Sequence, residues 1–518
     1  MIKALKKTAL VSTLTLSSRL LGLIRDTLIA IYFGVSSQSD AFFIAFRPFD
    51  LARKLFSEGI LNISFIPIFS KTLVNEGKAK AASLFFSFFC FLTLAGTLIM
   101  LFGIFFAPVV IKIIAPGFIE YSYKLQLTAV LFKIMLPYLW LILMSSLCMG
   151  VLNSFGNFGI PAVAPVVFNL VVILFTIMVT TCFKTPVMGL ALGVTIGGVL
   201  QLALQIPFMI RFGILKISFF SFFHPGVIKV LKIMIPSMIG AASYQINIMA
   251  ASFFASKLES GSVSYLYYAD RLVQFPLALF AVSAAMVLLP QLSKKAVLGE
   301  MDEIAGLFSN AVKAVFFVTI PAMAGLMALD EQIVSLLFGH GAFTESAIHQ
   351  TSDCLFFLSF GLWAFTGGRL FVTLYYSLSN VKIPFYSGLF TIGLNLIFCL
   401  LFIDSLGLKG LVLSVSLSSA IGFVILLINI PGAVNIAKFE IIVSACRSLF
   451  LSAIMFFIVQ KAAGFIPVSD INKFWYGAGV IGCIGFGIGF YFIVNFLISS
   501  PELKILKQGM TKSSHDNS

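Results

Sequence analysis

The sequence has very few charged residues. Only 10% of its 518 residues are Asp, Glu, Lys or Arg, whereas 60% are hydrophobic and the mean hydropathy is +1.07. A soluble domain of average composition contains about 25% charged residues. This shortage argues against an ordinary soluble protein. Uncharged runs such as 81–111 and 134–183 exceed the roughly 20 helical residues that cross the hydrocarbon core of a membrane.

Residues that serve catalysis or metal binding are also scarce. No paired carboxylates lie in an extended loop. The four histidines form no cluster in the sequence: they are His224, His340, His349 and His515. The seven cysteines all lie in apolar segments without a C-x-x-C motif, which is typical of small core residues: Cys90, Cys148, Cys182, Cys354, Cys399, Cys446 and Cys483. We therefore predict no enzyme, such as a membrane glycosyltransferase or phosphatase, and no metal site or cofactor.

The apolar runs are continuous and do not alternate with polar residues, which favours helices over a membrane barrel. We predict an all-α polytopic membrane protein with about 14 transmembrane helices. The predicted spans are 9–34, 41–69, 82–110, 126–152, 160–182, 187–210, 230–256, 263–290, 304–329, 350–377, 383–403, 410–430, 441–460 and 474–498.

The distribution of lysine and arginine predicts the orientation of these spans. With the N-terminus inside, the cytoplasmic segments contain 17 of these residues and the outside loops 7. Cytoplasmic loops carry such an excess, so both termini are predicted to be cytoplasmic. Much of the net charge of +14 then reflects topology and gives no signal for nucleic acid. The basic, apolar N-terminus lacks a small-residue cleavage site and is predicted to be an uncleaved first span.

Three short matches indicate an internal duplication. PIFSK at 67–71 matches PQLSK at 290–294, and NFGIP at 157–161 matches NVKIP at 380–384, both at an offset of 223. GLALGV at 189–194 matches GLVLSV at 410–415 at an offset of 221. We predict an N-lobe (1–215) and a C-lobe (216–435) of six helices each, as parallel repeats around a central cavity, which is a transporter architecture. Two further helices (436–500) and a cytoplasmic tail (501–518) lie outside the repeat.

Several charges lie where the chain should cross the membrane. The segments 17–34, 47–58 and 265–276 contain six cations and four acids, namely Arg19, Arg25, Arg47, Arg53, Lys54 and Arg271 with Asp26, Asp50, Glu58 and Asp270. An arginine at mid-bilayer costs about 2.5–3.5 kcal/mol on insertion scales, so these side chains should face a polar interior. Because guanidinium binds phosphate through two parallel hydrogen bonds, the excess of cations predicts a site for an anion.

A simpler interpretation pairs each arginine with a nearby acid. Arg25 or Arg53 would then form internal salt bridges with Asp26, Asp50 or Glu58. Gly22, between Arg19 and Arg25, also allows two interpretations: it is either a hinge in the first span or a point of close helix packing.

Five motifs resemble one known family. SRLLGLIRD (18–26), SDAFFIAFR (39–47), LARKLFSEG (51–59), APGF (115–118) and GSVSYLYYADRLVQFP (261–276) closely resemble the MurJ/MviN family. This resemblance covers essentially the whole chain. It implies a flippase of the bacterial cytoplasmic membrane that moves lipid II, the undecaprenyl-pyrophosphate-linked cell-wall precursor. It also implies the fold of the multidrug/oligosaccharidyl-lipid/polysaccharide exporter superfamily, in which helices 13 and 14 form a groove for the lipid tail.

The resemblance also implies a set of site residues. The cavity arginines of the family fall on Arg19, Arg25, Arg53 and Arg271, and its important acidic and small polar positions fall on Asp40, Glu58 and Ser264. Asp270 and Gln274 complete the predicted substrate-binding set; many members have Glu where this chain has Gln274. Some members are thought to bind sodium through acids in helices 7 and 11, but 233–256 and 383–403 contain none, so no carboxylate-type sodium site is predicted.

Two related functions remain as alternatives. A drug exporter of the same architecture would favour acids in its cavity. A flippase for an O-antigen-type glycolipid would handle the same pyrophosphate, and only the motifs argue against it. The predicted protein is a monomer whose partners are lipid II and membrane lipids, and the membrane potential is its predicted driving force.

Overall fold

The computed structural model of the chain describes residues 2–56, 60–179, 185–215, 224–432, 434–466 and 473–503, and within them all regular structure is helical. The first half contains nine α-helices and a short 3₁₀ helix at Pro116–Glu120: α1 (Ile2–Phe33), α2 (Ser37–Leu55), α3 (Leu61–Asn75), α4 (Lys78–Ile114), α5 (Ser122–Ser154), α6 (Gly159–Val179), α7 (Val187–Ala203), α8 (Ile206–Arg211) and α9 (Pro225–Ala255).

The second half also contains nine α-helices, with a π-helical turn at Leu277–Val282. They are α10 (Ser262–Pro276), α11 (Ser283–Leu298), α12 (Met301–Ala328), α13 (Asp330–Phe338), α14 (Glu345–Ser359), α15 (Leu362–Ser377), α16 (Lys382–Ile428), α17 (Lys438–Ala463) and α18 (Lys473–Leu497). The predicted all-α class is confirmed.

Nine helical stretches among the described residues are long and apolar enough to cross a membrane, or eleven if two bent pairs each count as one span. The predicted number of 14 therefore stays a prediction. Predicted span 2 falls on two helices, α2 and α3, while predicted spans 11 and 12 both fall on α16. α16 is interrupted at Gly407, whose backbone (φ 55°, ψ −130°) is not helical and suits glycine because it has no Cβ.

The chain forms two compact units. The first consists of Met1–Gln245 with Ser252–Ser264, and the second of Ile246–Ala251 with Tyr265–Ser518. The chain thus passes to the second unit and back within α9, and it passes to the second unit again within the first turn of α10. Compactness does not test where a sequence repeat begins, so the predicted lobes 1–215 and 216–435, and the segments 436–500 and 501–518, stay predictions.

In the first unit, α5 is the central helix. It packs against α2, α4 and α7, and residues 141–152 on it are all buried. Small residues permit this packing: a Cβ built at Gly198 of α7 would lie 2.5 Å from the ring of Tyr138, and one at Gly103 of α4 would lie 2.7 Å from Leu136. The site residues on α2 therefore lie on a helix that packs against α5, while α1 packs against α6.

In the second unit, α17 and α18 pack onto α12. Their contact is an apolar cluster that includes Phe317, Met455 and Tyr491. The glycines of α18 contribute unevenly. A Cβ at Gly487 would lie 2.9 Å from Val459. A Cβ at Gly482, Gly485 or Gly489 would meet no described atom within 4 Å. Gly485 and Gly489 are therefore not points of close packing against another helix in the described part of the chain.

Arg447 on α17 forms an ion pair with Glu502. Glu502 is 1% exposed and also accepts a hydrogen bond from Ser500. Burial opposes ionisation of Glu502, but the hydrogen bonds it accepts and the guanidinium of Arg447 outweigh burial and hold its pKa below the usual value. The first residues after α18, predicted to begin the tail, therefore lie against α17.

Candidate functional site

Arg25 lies on α1 beside Asp26, and both side chains are buried. Its Nε and Nη2 donate to Asp26 Oδ1 at 2.9 and 2.7 Å, and its Nη1 donates to Asn169 Oδ1 at 3.1 Å. Asn169 on α6 also donates from Nδ2 to the backbone oxygen of Ser18 at 3.0 Å. The guanidinium is thus oriented by an amide on another helix while its charge is balanced by the adjacent carboxylate.

Asp50 on α2 pairs with two cations. Arg53 donates from Nη2 and Nε to Asp50 Oδ1 at 2.8 and 3.2 Å, and Lys54 Nζ lies 3.0 Å from Asp50 Oδ2. Lys54 also donates to Gln245 Oε1 of α9 at 3.0 Å. Both cations thus contact Asp50 in this cluster, and the Arg53 side chain retains 24% exposure. A partly exposed guanidinium beside a second cation suits an anion.

Tyr138 of α5 interacts with charged residues of both clusters. Its ring stacks on Phe168 with centroids 5.2 Å apart, and its hydroxyl interacts electrostatically with Arg53, Asp50 and Arg25. The hydroxyl oxygen is buried and has no hydrogen-bond partner among the described residues. The first unit therefore brings the charged residues of α1 and α2 into one region around α5.

The salt-bridge interpretation holds for Arg25 and Arg53 in this structure. Each is paired with an acid one or three residues away, as the sequence allowed. Each of these arginines therefore has a carboxylate on its own helix that balances its charge.

Asp40 of α2 is the most heavily bonded carboxylate of the predicted set. It is 1% exposed. Its Oδ2 accepts from Lys124 Nζ at 2.7 Å and from the backbone N–H of Gly261 at 2.8 Å. Its Oδ1 accepts from the backbone N–H of Ser264 at 2.9 Å and from Ser264 Oγ at 2.5 Å. Asp40 thus binds the first turn of α10 through the N–H groups that a helix leaves free at its start.

The APGF motif supports the same segment. Gly117, in the 3₁₀ helix, donates its N–H to Ser256 Oγ at 3.1 Å. A Cβ at Gly117 would lie 1.9 Å from the backbone oxygen of Ser256, so only glycine permits this approach. Phe118, the next residue, lies 4.3 Å below Lys124 Nζ. The chain between α9 and α10 is therefore held by α2, α5 and the 3₁₀ helix together.

Asp270, Arg271 and Gln274 lie further along α10, in the second unit. Asp270 is 7% exposed and accepts a hydrogen bond from Gln274 Nε2 at 3.3 Å. A neutral amide in place of Glu at position 274 can donate to Asp270, which a carboxylate could not do. Arg271 is half-buried on the same helix.

The remaining predicted residues are placed as follows. Arg19 is half-buried and Gly22 is buried on α1, which continues as a helix through both positions. Glu58 lies outside the described residues. The proposed hinge at Gly22 therefore stays a prediction.

Three contributors to these clusters were missed from the sequence. Lys124 was assigned to an outside loop, but α5 begins two residues earlier and buries it. Asn169 and Tyr138 lie in apolar runs that gave no sign of a role. The detectable signal is that Lys124 is a cation only two residues before the predicted span 126–152.

Two neutral side chains join α9 and α16. Asn395 of α16 donates from Nδ2 to the backbone oxygen of Asn247 of α9 at 3.1 Å, and both are buried. Among the described residues, no three His, Cys, Asp or Glu side chains are grouped so that they could hold a metal ion.

Comparison with known proteins identifies the family. The family model described as lipid II flippase MurJ matches residues 29–478. A probable lipid II flippase MurJ from Vibrio cholerae is 32% identical over 521 residues, covering 98% of each chain. One from Buchnera aphidicola (Acyrthosiphon pisum) is 35% identical over 422 residues, covering 82% of this chain and 83% of the relative.

Solved structures agree with this assignment. Lipid II flippase MurJ in an inward closed conformation matches with a TM-score of 0.78 and 28% identity, covering 95% of this chain and 99% of the other. An inward-facing multidrug resistance MATE family transporter matches with a TM-score of 0.64 and 13% identity, covering 82% of this chain and 95% of the other, which shows the shared fold. With its apolar spans, the protein is a bacterial inner-membrane transporter and not an enzyme. The chain belongs to the lipid II flippase MurJ family.

Proposed function

We propose that this protein moves lipid II from the inner to the outer leaflet of the cytoplasmic membrane by alternating access. Proteins named lipid II flippase MurJ match nearly the whole chain. The arginines on α1 and α2 also fit the chemistry of the lipid II headgroup. The observation that carries the proposal is the α2 cluster, in which the partly exposed Arg53 and Lys54 both contact Asp50. This arrangement places two cations side by side in an otherwise apolar region.

The pyrophosphate of lipid II is the group that these cations would bind. Arg25 and Arg53 each offer parallel N–H donors, which match two phosphate oxygens as well as they match a carboxylate. On binding, the pyrophosphate would displace Asp50 as the acceptor of Arg53, and Lys54 would keep Asp50 paired. Arg19 and Arg271 would complete a cationic central cavity, while Asp270 and Gln274 would offer a polar rim for the sugar or peptide.

Asp40 and Ser264 have a different role in the proposed cycle. With both termini in the cytoplasm, the start of α2 and the start of α10 lie at the outer end of their spans. The bonds between them would close the outer side while the headgroup enters from the cytoplasm, and they would break when the cavity opens outward.

The isoprenoid tail would remain in contact with hydrocarbon throughout. The open surface at Gly482, Gly485 and Gly489 of α18 would provide a shallow groove for it, since a chain can approach closest where the helix has no side chains.

The proposal is tested by reconstituting the purified protein as a monomer in vesicles that contain fluorescent lipid II in the inner leaflet. We expect the label to become accessible to an impermeant quencher only when the protein is present. Vesicles with an O-antigen-type pyrophosphate lipid provide the comparison, and faster movement of that lipid would favour the second candidate. Depletion of the protein in cells, followed by rescue, gives the matching measurement of lipid II at the outer leaflet.

The membrane potential is the proposed driving force. Moving one elementary charge across 100 mV is worth about 2.3 kcal/mol. Because the cell interior is negative, an anionic headgroup moves outward with the field, and the unloaded arginines are drawn back inward. We expect an inside-negative potential to accelerate flipping and its collapse by valinomycin with potassium to slow it. Equal rates at both potentials would show that the energy comes from elsewhere.

A further inference from the structure

Lys124 occupies an unfavourable place for a cation. It lies in the first turn of α5, where free N–H groups already give the helix end a partial positive charge. Its side chain is only 7% exposed. Nζ lies 2.7 Å from Asp40 Oδ2, 3.4 Å from Ser260 Oγ and 4.3 Å from the centroid of the Phe118 ring. Helix stability does not explain a buried cation here, but the contact with Asp40 does.

The four bonds to Asp40 come from two different parts of the chain. Three are donated by Gly261 and Ser264, at the start of α10. The fourth is donated by Lys124, from α5. In the proposed cycle, outward opening removes the start of α10 and its three bonds together. The contact with Lys124 is the one that this movement does not have to break.

We propose that Lys124 is a positioning residue that remains paired with Asp40 when the start of α10 leaves. A buried carboxylate without a partner is strongly unfavourable, because it has lost water and gained nothing in exchange. Lys124 thus makes the closing contact reversible: Asp40 can release α10 without becoming an unpaired charge. This role rests on the proposed alternating-access function.

The effect of removing the ammonium should therefore be unequal in the two states. In the closed state Asp40 would lose one of its four bonds. In the open state it would lose the bond to Lys124, the one that the proposal retains after the start of α10 has moved away. Lys124→Met, which keeps the apolar stem and its packing on Phe118, should hold the protein closed. Lys124→Arg, which keeps a cation, should work nearly as well as the original residue. Asp40→Asn/Lys124→Met removes both charges and should recover flipping, since no unpaired carboxylate remains.

The test combines vesicle flipping of fluorescent lipid II with labelling of a cysteine at position 263. Val263 is 1% exposed at the start of α10 and makes none of the bonds to Asp40, so Val263→Cys reports whether the segment has moved. An otherwise identical protein without that cysteine gives the background. We expect Lys124→Met to lower the flipping rate at least tenfold and to reduce labelling of Cys at 263 by an impermeant maleimide. Lys124→Arg should stay within about threefold of the unmodified rate, and Asp40→Asn/Lys124→Met should exceed the rate of Lys124→Met alone.

Each alternative result has a definite meaning. Unchanged flipping by Lys124→Met, increased labelling at position 263, or a double variant no better than Lys124→Met would overturn the assignment. Purified Lys124→Met that elutes and melts like the unmodified protein excludes misfolding as the cause. If unmodified protein moves no lipid II, the proposed function fails instead, and the labelling comparison still tests the role of Lys124.

Discussion

Replacing Arg25 by alanine is expected to abolish lipid II flipping while the protein still inserts into the membrane. The guanidinium of Arg25 forms two bonds with Asp26 and one with Asn169, and no other residue type presents donors in that arrangement. Loss of a charged hydrogen bond to phosphate costs about 1.5–3 kcal/mol, and bidentate binding doubles the number of bonds lost. Arg271→Ala is expected to have the same result. The measurement is the rate of headgroup exposure in vesicles, with membrane insertion checked by immunoblot.

A double substitution separates headgroup binding from simple neutralisation of Asp26. Arg25→Ala alone leaves a buried carboxylate without its guanidinium, which by itself destabilises the protein. Arg25→Ala/Asp26→Asn removes that carboxylate charge and should restore the thermal stability. If Arg25 serves only Asp26, flipping should return as well; if it binds pyrophosphate, flipping should remain absent. Lys313→Ala on α12, which breaks the pair with Glu440 outside the predicted site, is the matched control and should retain flipping.

A disulfide between positions 37 and 260 is expected to stop transport completely and reversibly. The hydroxyl oxygens of Ser37, at the start of α2, and Ser260, before α10, lie 3.3 Å apart. Cysteine sulfurs there need to approach to about 2.05 Å, which the half-buried position 37 and the exposed position 260 can accommodate. Because the proposed outward opening separates the start of α10 from α2, oxidised Ser37→Cys/Ser260→Cys should lose more than nine-tenths of its flipping and recover it with a reductant.

The chain offers a closely matched control for this cross-link. Ser70 of α3 and Ser154 of α5 have hydroxyl oxygens 3.4 Å apart, and both serines belong to the first unit without contributing to the bonds around Asp40. Oxidised Ser70→Cys/Ser154→Cys should therefore flip lipid II at close to the unmodified rate. Full transport by the oxidised 37/260 pair, with the disulfide verified by mass spectrometry, would disprove the closing role of the Asp40 contacts.

These experiments test which partners the charged residues have, and this is what the sequence predicts least well. The pairs Arg25–Asp26 and Asp50–Arg53 were foreseeable as an alternative because their members lie one and three residues apart, within reach along a single helix. The excess of cations was also foreseeable, but its location was not. Arg53 and Lys54 were known only as neighbours in sequence, and the structure identifies Asp50 as the acid that they share.

Hydropathy and motifs by themselves determined the all-helical membrane class, the approximate position of most spans and the family. They could do so because membrane insertion depends on the composition of a single segment, and motifs are read directly from the order of residues. Tertiary structure alone decided that Lys124 is the partner of Asp40, 84 residues away, and that Asn169 orients Arg25 across 144 residues. It also decided that Glu502 is buried against Arg447. Such contacts depend on the rotation and depth of each helix against its neighbours, which the packing of side chains fixes and no single segment contains.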